Sequence, residues 1–61
     1  MNEILLTFHK VITNLGFIRG YIVRNFYNKD FTGTITSLER NVVRLQNIID
    51  KLKELQDEKN T

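Results

Sequence analysis

The second half of the chain carries an unbroken heptad repeat of apolar residues. The spacing alternates between three and four, the period at which a helix presents one stripe to neighbouring helices. β-branched residues occupy the first heptad position and leucines the fourth: Ile35, Val42 and Ile49, then Leu38, Leu45 and Leu52. The repeat predicts a long amphipathic helix over residues 35–57 that packs along this stripe.

A second apolar stripe with helical period runs through the first half of the chain. It consists of Ile4, Phe8, Val11, Leu15, Ile18, Ile22 and Phe26. The stripe predicts a helix over residues 3–28. Gly16 and Gly20 weaken a helix, and residues 17–27 are rich in strand formers. The alternative is therefore a helix that ends at Gly16, followed by a short β-hairpin over residues 17–36. The stripe continues in phase through both glycines, which favours the helix.

Turn-forming residues separate the two predicted helices. Residues 28–34 contain Asn, Asp, Gly and Thr, the residue types that favour turns. Thr36 and Glu39 have the spacing of a capping box for the second helix, and Thr34 is an alternative cap. Two long helices joined by so short a turn must run antiparallel.

Small size and the absence of cysteine make self-association the expected source of additional stability. A chain of 61 residues forms one domain, residues 1–61, and buries only about 60% of its unfolded surface. Without cysteine it has neither disulfides nor thiolate metal sites. Its hydrophobic content of 41% exceeds what two helices can cover on each other. We expect a homodimer.

These patterns together predict an all-α antiparallel helical hairpin that dimerises into a four-helix bundle. Ile48 and Leu55 widen the second stripe to the width that a bundle needs. The predicted core is Ile4, Phe8, Val11, Leu15, Ile18, Ile22 and Phe26 against Leu38, Val42, Leu45, Ile49 and Leu52.

The sequence offers little for catalysis or metal binding. His9 is the only histidine, and it lies on the polar side of the first predicted helix without a positioned partner. Acidic residues near the end of the chain alternate with lysines, and a helix surface cannot surround a calcium ion with oxygens as a loop does. We predict no enzyme activity, no cofactor and no metal.

Three apolar residues of the first helix fall outside its main stripe: Leu6, Phe17 and Tyr21. Phe17 and Tyr21 are one turn apart and can form one aromatic patch, a feature enriched where proteins bind proteins. With Ile48 and Leu55 they are the predicted protein-interface residues. A second protomer is the favoured occupant over a foreign protein partner.

A basic ridge of Arg40, Arg44, Asn47 and Lys51 follows one side of the second predicted helix. A dimer would present two such ridges to phosphates, and Arg and Asn can read base edges. The formal net charge of +2 is too small to require such a partner.

The expected function is a small protein-interaction and oligomerisation module, a regulator or adaptor that binds another protein. The alternative is a dimeric helical nucleic-acid-binding protein that uses the basic ridge. Polar residues interrupt the first half often enough to exclude a membrane-spanning helix, and residues 1–16 lack the basic start of a signal peptide. We therefore expect a cytoplasmic protein without a membrane partner.

Overall fold

The protein is a hairpin of two long α-helices. The computed structural model describes the backbone of residues 2–60 and the side chains of residues 3–58. Helix α1 is Asn2–Arg24 and helix α2 is Thr32–Asn60. The predicted all-α helical hairpin is confirmed, and α1 continues through Gly16 and Gly20 without a break. The β-hairpin alternative for residues 17–36 is wrong, since no strand occurs in the described part of the chain.

Helix α1 ends at Arg24, four residues earlier than predicted, and residues 25–29 form a turn. The Tyr21 carbonyl accepts hydrogen bonds from both the backbone amide and the side-chain Nδ2 of Asn25, each at 3.0 Å. Lys29 has a φ of 57°, in the left-handed region that reverses the chain direction. The Lys29 amide donates to the Asn25 carbonyl at 2.9 Å and closes this turn.

Helix α2 begins at Thr32, three residues earlier than predicted. Asp30 caps it, because its Oδ1 accepts a hydrogen bond from the Thr32 amide at 3.4 Å. Thr36 lies inside the helix, where its hydroxyl donates to the Thr32 carbonyl at 3.1 Å. The predicted capping box of Thr36 and Glu39 is therefore wrong. The helix continues to Asn60, beyond the predicted end at residue 57.

The two helices run antiparallel with a defined register. Asn14 pairs with Asn41 near the middle of the hairpin, and Glu3 pairs with Lys51 near its open end. Among the described side chains, the buried apolar residues are Val11, Ile18 and Ile48. Thr34 and Asn41 are buried beside them. The interior of this hairpin is therefore a narrow line with a large polar share.

Helix α2 is rotated by about one residue from the predicted packing, and α1 is rotated by less. On α2 the less exposed positions are Thr34, Ser37, Asn41, Arg44 and Ile48, each one residue before a member of the predicted heptad stripe. One residue corresponds to about 100° of rotation. All the predicted core residues of α2 are consequently exposed in the hairpin, as are Phe8, Leu15, Ile22 and Phe26 of α1. Only Val11 and Ile18 of the predicted core are buried, and Ile4 is half-buried.

The hairpin formed by residues 2–60 is a thin rod of a single layer. It measures 53 × 16 × 11 Å, and its radius of gyration is 15.2 Å, compared with about 10 Å for a compact chain of this length. Its accessible surface is 5407 Å², roughly 1,300 Å² more than a compact monomer of the same mass exposes. Most of its apolar side chains therefore face outward.

Candidate interaction surfaces

The hairpin has two chemically different sides. Val11, Ile18, Asn41 and Ile48 lie between the helices. These inward-facing positions recur along each helix. The residue that follows such a position in the sequence points about 100° away from the neighbouring helix, and the residue that precedes it points about 100° in the opposite direction. Because the helices are antiparallel, the later positions of both helices reach one side of the hairpin, and the earlier positions reach the opposite side.

The first side is an apolar face made by heptad-spaced residues of both helices. Its members are Phe8, Leu15 and Ile22 of α1 and Leu38, Leu45 and Leu52 of α2, all exposed. Ile12 and Ile49 extend it at the edges and are also exposed. A contiguous apolar surface of this extent is typical of a site that contacts another macromolecule.

The apolar face ends in a concavity at the turn. Ile22, Val23, Phe26 and Tyr27 line an open space of about 470 Å³. At the other end of the rod, α2 is longer than α1: Lys51 pairs with Glu3, and residues 52–60 extend past that pair. We call this segment the α2 overhang. Its Leu52 and Leu55 are exposed.

The second side contains a groove that combines the predicted aromatic and basic residues. Phe17 and Tyr21 of α1 and Arg40 and Arg44 of α2 line one cleft of about 210 Å³. Phe17 is 60% exposed and Tyr21 is 41% exposed, so both rings are accessible. The sequence predicted the aromatic pair and the arginine pair on two different surfaces. The antiparallel register brings the two pairs together.

A hydrogen-bonded set of amides forms the floor of the groove. Asn41 is 3% exposed, and its Oδ1 accepts hydrogen bonds from Asn14 Nδ2 at 3.3 Å and from Arg44 Nη1 at 3.4 Å. Its own Nδ2 donates to the Ser37 carbonyl at 2.7 Å. Both polar atoms of the Asn41 amide are therefore satisfied, and the bond to Arg44 helps to orient that guanidinium at the groove.

The other predicted site residues are dispersed. Lys51 forms an exposed ion pair with Glu3 at 3.4 Å, and Asn47 lies exposed on the groove side beyond the cleft. The four members of the basic ridge are thus not equivalent. Leu6 and Leu55 are exposed, whereas Ile48 is 5% exposed between the helices and is not part of the accessible surface.

The sequence did not predict Asn14, Asn41 or Lys10 as site residues. Asn14 and Asn41 were outside every predicted set, although each is one position away from an apolar heptad residue and could have been recognised as a polar position facing the other helix. Lys10 was also missed. It lies with His9 and Thr13 on a shallow extension of the groove that shares Asn14 and Arg44 with the cleft.

Among the side chains of residues 3–58, no three His, Asp or Glu come together as a possible metal site. Neither α1 nor α2, the helices of the described chain, has a run of residues long and apolar enough to cross a membrane. Comparison with protein-family models, curated proteins and solved structures finds no match in any of the three. The function must be argued from the two surfaces themselves.

Proposed function

We propose that the protein is a non-enzymatic interaction and oligomerisation module that dimerises through its apolar face into a four-helix bundle. The observation that supports this proposal is the exposed apolar face of Phe8, Leu15, Ile22, Leu38, Leu45 and Leu52. Its members are a heptad apart on both helices, which is the arrangement that lets two hairpins interlock. As a regulator or adaptor, the bundle would leave its outer side for a further partner.

The surface area of the hairpin agrees with the size of a stable interface. The excess over a compact monomer is roughly 1,300 Å², and a standard specific interface buries about 800 Å² on each partner. One interface of that size would bury most of this excess accessible surface. It would also give Leu15 and Leu45, which are exposed in the hairpin, the buried environment that their heptad positions predict.

Within this proposal, the two hairpins are antiparallel, with the turn of one beside the open end of the other. The concavity at the turn, lined by Ile22 and Phe26, lies at one end of the apolar face, and the α2 overhang with Leu52 lies at the other. An antiparallel dimer places each overhang against the partner's concavity. A parallel dimer would place concavity against concavity and overhang against overhang, so that no overhang fills a concavity.

The charge distribution favours the same arrangement. Residues 16–45, the half nearer the turn, contain five basic and two acidic residues, a net charge of +3. Residues 46–61 contain three basic and four acidic residues, a net charge of −1. Like charges repel at the ends of a parallel dimer, whereas an antiparallel dimer brings opposite charges together.

Sedimentation equilibrium tests the dimer. The protein should show the mass of two chains at concentrations from about 10 µM upward, and its unfolding midpoint should rise with concentration. Leu45→Gln, at the centre of the apolar face, should shift the mass towards one chain. Val43→Gln makes a similar change at an exposed position away from that face and should leave the mass unchanged. A single-chain mass at every concentration would exclude the proposal.

A spin label tests the orientation, because the chain has no native cysteine. In Lys29→Cys the label lies in the turn. Two turns at opposite ends of an antiparallel dimer should be separated by on the order of 35 Å or more, the length of α1, whereas adjacent turns would be within about 20 Å. A short distance between labels would retain the dimer and exclude its antiparallel form.

A further inference from the structure

The groove opposite the apolar face has the composition of a binding site for an anionic ligand with flat, apolar groups. Two accessible aromatic rings, Phe17 and Tyr21, lie in the same cleft as two guanidinium groups, Arg40 and Arg44. The cleft has no carboxylate among its lining residues. Arg40 has neither an ion pair nor a side-chain hydrogen bond within the described part of the chain. Its charge is therefore available to a ligand.

The groove continues along the junction between the helices. Its shallow extension brings in Lys10, which has no ion pair among the described side chains and adds a third cation to the two arginines. From Lys10 to Tyr21 the path along α1 is about 16 Å. This length accommodates at most about five nucleotides at the ~3.4 Å spacing of stacked bases.

We propose that this groove binds single-stranded nucleic acid. Bases stack on Phe17 and Tyr21, while Lys10, Arg40 and Arg44 neutralise the phosphates. A groove that combines aromatic and cationic side chains meets the physical requirement for such binding, since every base has a face that can stack and every nucleotide carries a charge.

The shape of the groove favours a single strand over a duplex. A duplex hides its base faces, so Phe17 and Tyr21 would have nothing to stack on. Reading a duplex also requires an element that projects into the major groove. Arg44 instead is half-buried in the cleft and hydrogen-bonded to Asn41. The predicted ridge on α2 is therefore a poor duplex reader, although two of its residues serve the single-strand site.

This site does not depend on the dimer. The groove residues occupy the side of the hairpin away from Leu15 and Leu45, so the proposed dimer leaves Phe17 and Arg40 accessible. Failure of the dimer would leave this proposal standing, and failure of nucleic-acid binding would leave the dimer standing.

Fluorescence anisotropy with a labelled oligodeoxythymidine of about 15 nucleotides tests the proposal on the full chain. Binding should weaken as salt rises, with a slope of about −0.7 in log K against log salt for each phosphate neutralised, or about −2 for three cations. An unlabelled duplex and polyglutamate serve as competitors. The oligonucleotide itself should compete best.

Matched variants distinguish a defined groove from overall charge. Arg40→Gln should weaken binding and reduce the steepness of the salt slope by about 0.7. Lys53→Gln removes the same charge from α2 outside the groove and should have little effect. Phe17→Leu should weaken binding by about five-fold or more through lost stacking, whereas Tyr27→Leu, at an exposed ring outside the cleft, should not. Circular dichroism must show equal helicity for all four.

Three results would overturn the proposal. One is no measurable binding at low salt. Another is equal weakening by Arg40→Gln and Lys53→Gln, which would mean that only net charge matters. The third is competition by polyglutamate or duplex as strong as by the oligonucleotide, with Phe17→Leu unaffected. An acidic protein segment or a duplex would then be the better ligand.

Discussion

Asn14 of α1 donates a hydrogen bond from Nδ2 to Oδ1 of Asn41 on α2, at 3.3 Å, near the middle of the hairpin. Apolar side chains could slide past one another by a turn at little cost, because they make no directional bonds. A buried amide pair can be satisfied in only one register. The pair therefore fixes which residues of the two helices are opposite each other, including those that form the groove.

Asn41→Ala should destabilise the hairpin by about 1–3 kcal/mol. The change leaves Asn14 without its partner in a partly buried position, and an unsatisfied polar group costs that much. Urea unfolding measured at one protein concentration gives the value. Asn47→Ala makes the same change at an exposed position of α2. It should alter the free energy of unfolding by no more than about 0.5 kcal/mol. Equal losses in the two variants would mean that Asn41 is not an interior residue.

Replacing both glycines of α1 by alanine should stabilise the protein. A Cβ at Gly16 or Gly20 would meet no atom within 4 Å, and neither residue has a positive φ. Each change should therefore raise the free energy of unfolding by about 1 kcal/mol through helix propensity alone. The measurement is the thermal midpoint of the double variant. A decrease would show that another molecule approaches α1 closely along this strip.

Ile48→Val tests the observed rotation of α2. Removing one methylene from a buried isoleucine should cost about 0.5–1.5 kcal/mol. The identical change at the exposed Ile35, a member of the predicted heptad stripe, should cost less than about 0.5 kcal/mol. Denaturant unfolding at low concentration, where dimer contacts contribute least, gives the comparison. If Ile35→Val proved the more harmful, the predicted phase of α2 would be right.

Glu3→Gln should have almost no effect on stability. The ion pair between Glu3 and Lys51 is 3.4 Å long, but the Glu3 side chain is 85% exposed and the Lys51 side chain 49%. Exposed pairs contribute about 0.2–1 kcal/mol, and salt screens them. The small difference in free energy of unfolding between this variant and the unchanged protein should vanish at about 1 M salt. A larger loss that persists at high salt would indicate a buried contact at the open end.

The sequence was sufficient to predict the elements but not their relative rotation. Apolar periodicity located both helices, and the turn chemistry of residues 28–34 located the reversal. The two helix ends at the turn were displaced by four and three residues. The left-handed Lys29 reverses the chain and Asp30 caps α2, and a pattern of residue types identifies neither. The rotation depends on which stripe each helix presents to its neighbour, and the heptad repeat cannot tell a neighbour within the chain from one in another chain.

The candidate groove was predicted only in pieces. Its aromatic and basic residues were recognised separately, since Phe17 and Tyr21 share a helix face, as do Arg40 and Arg44. Their convergence depends on the register set by Asn14 and Asn41, which lie 27 positions apart in sequence. No local pattern contains that information.

The shortest dimension of the hairpin, 11 Å, has a consequence for how its two sides communicate. The hairpin is a single layer of two helices, so a molecule on either side contacts side chains of the same α1 and α2. A ligand in the groove that changes the angle at which these helices cross would also change the shape of the apolar face. In that case each site would alter the affinity of the other by the same factor.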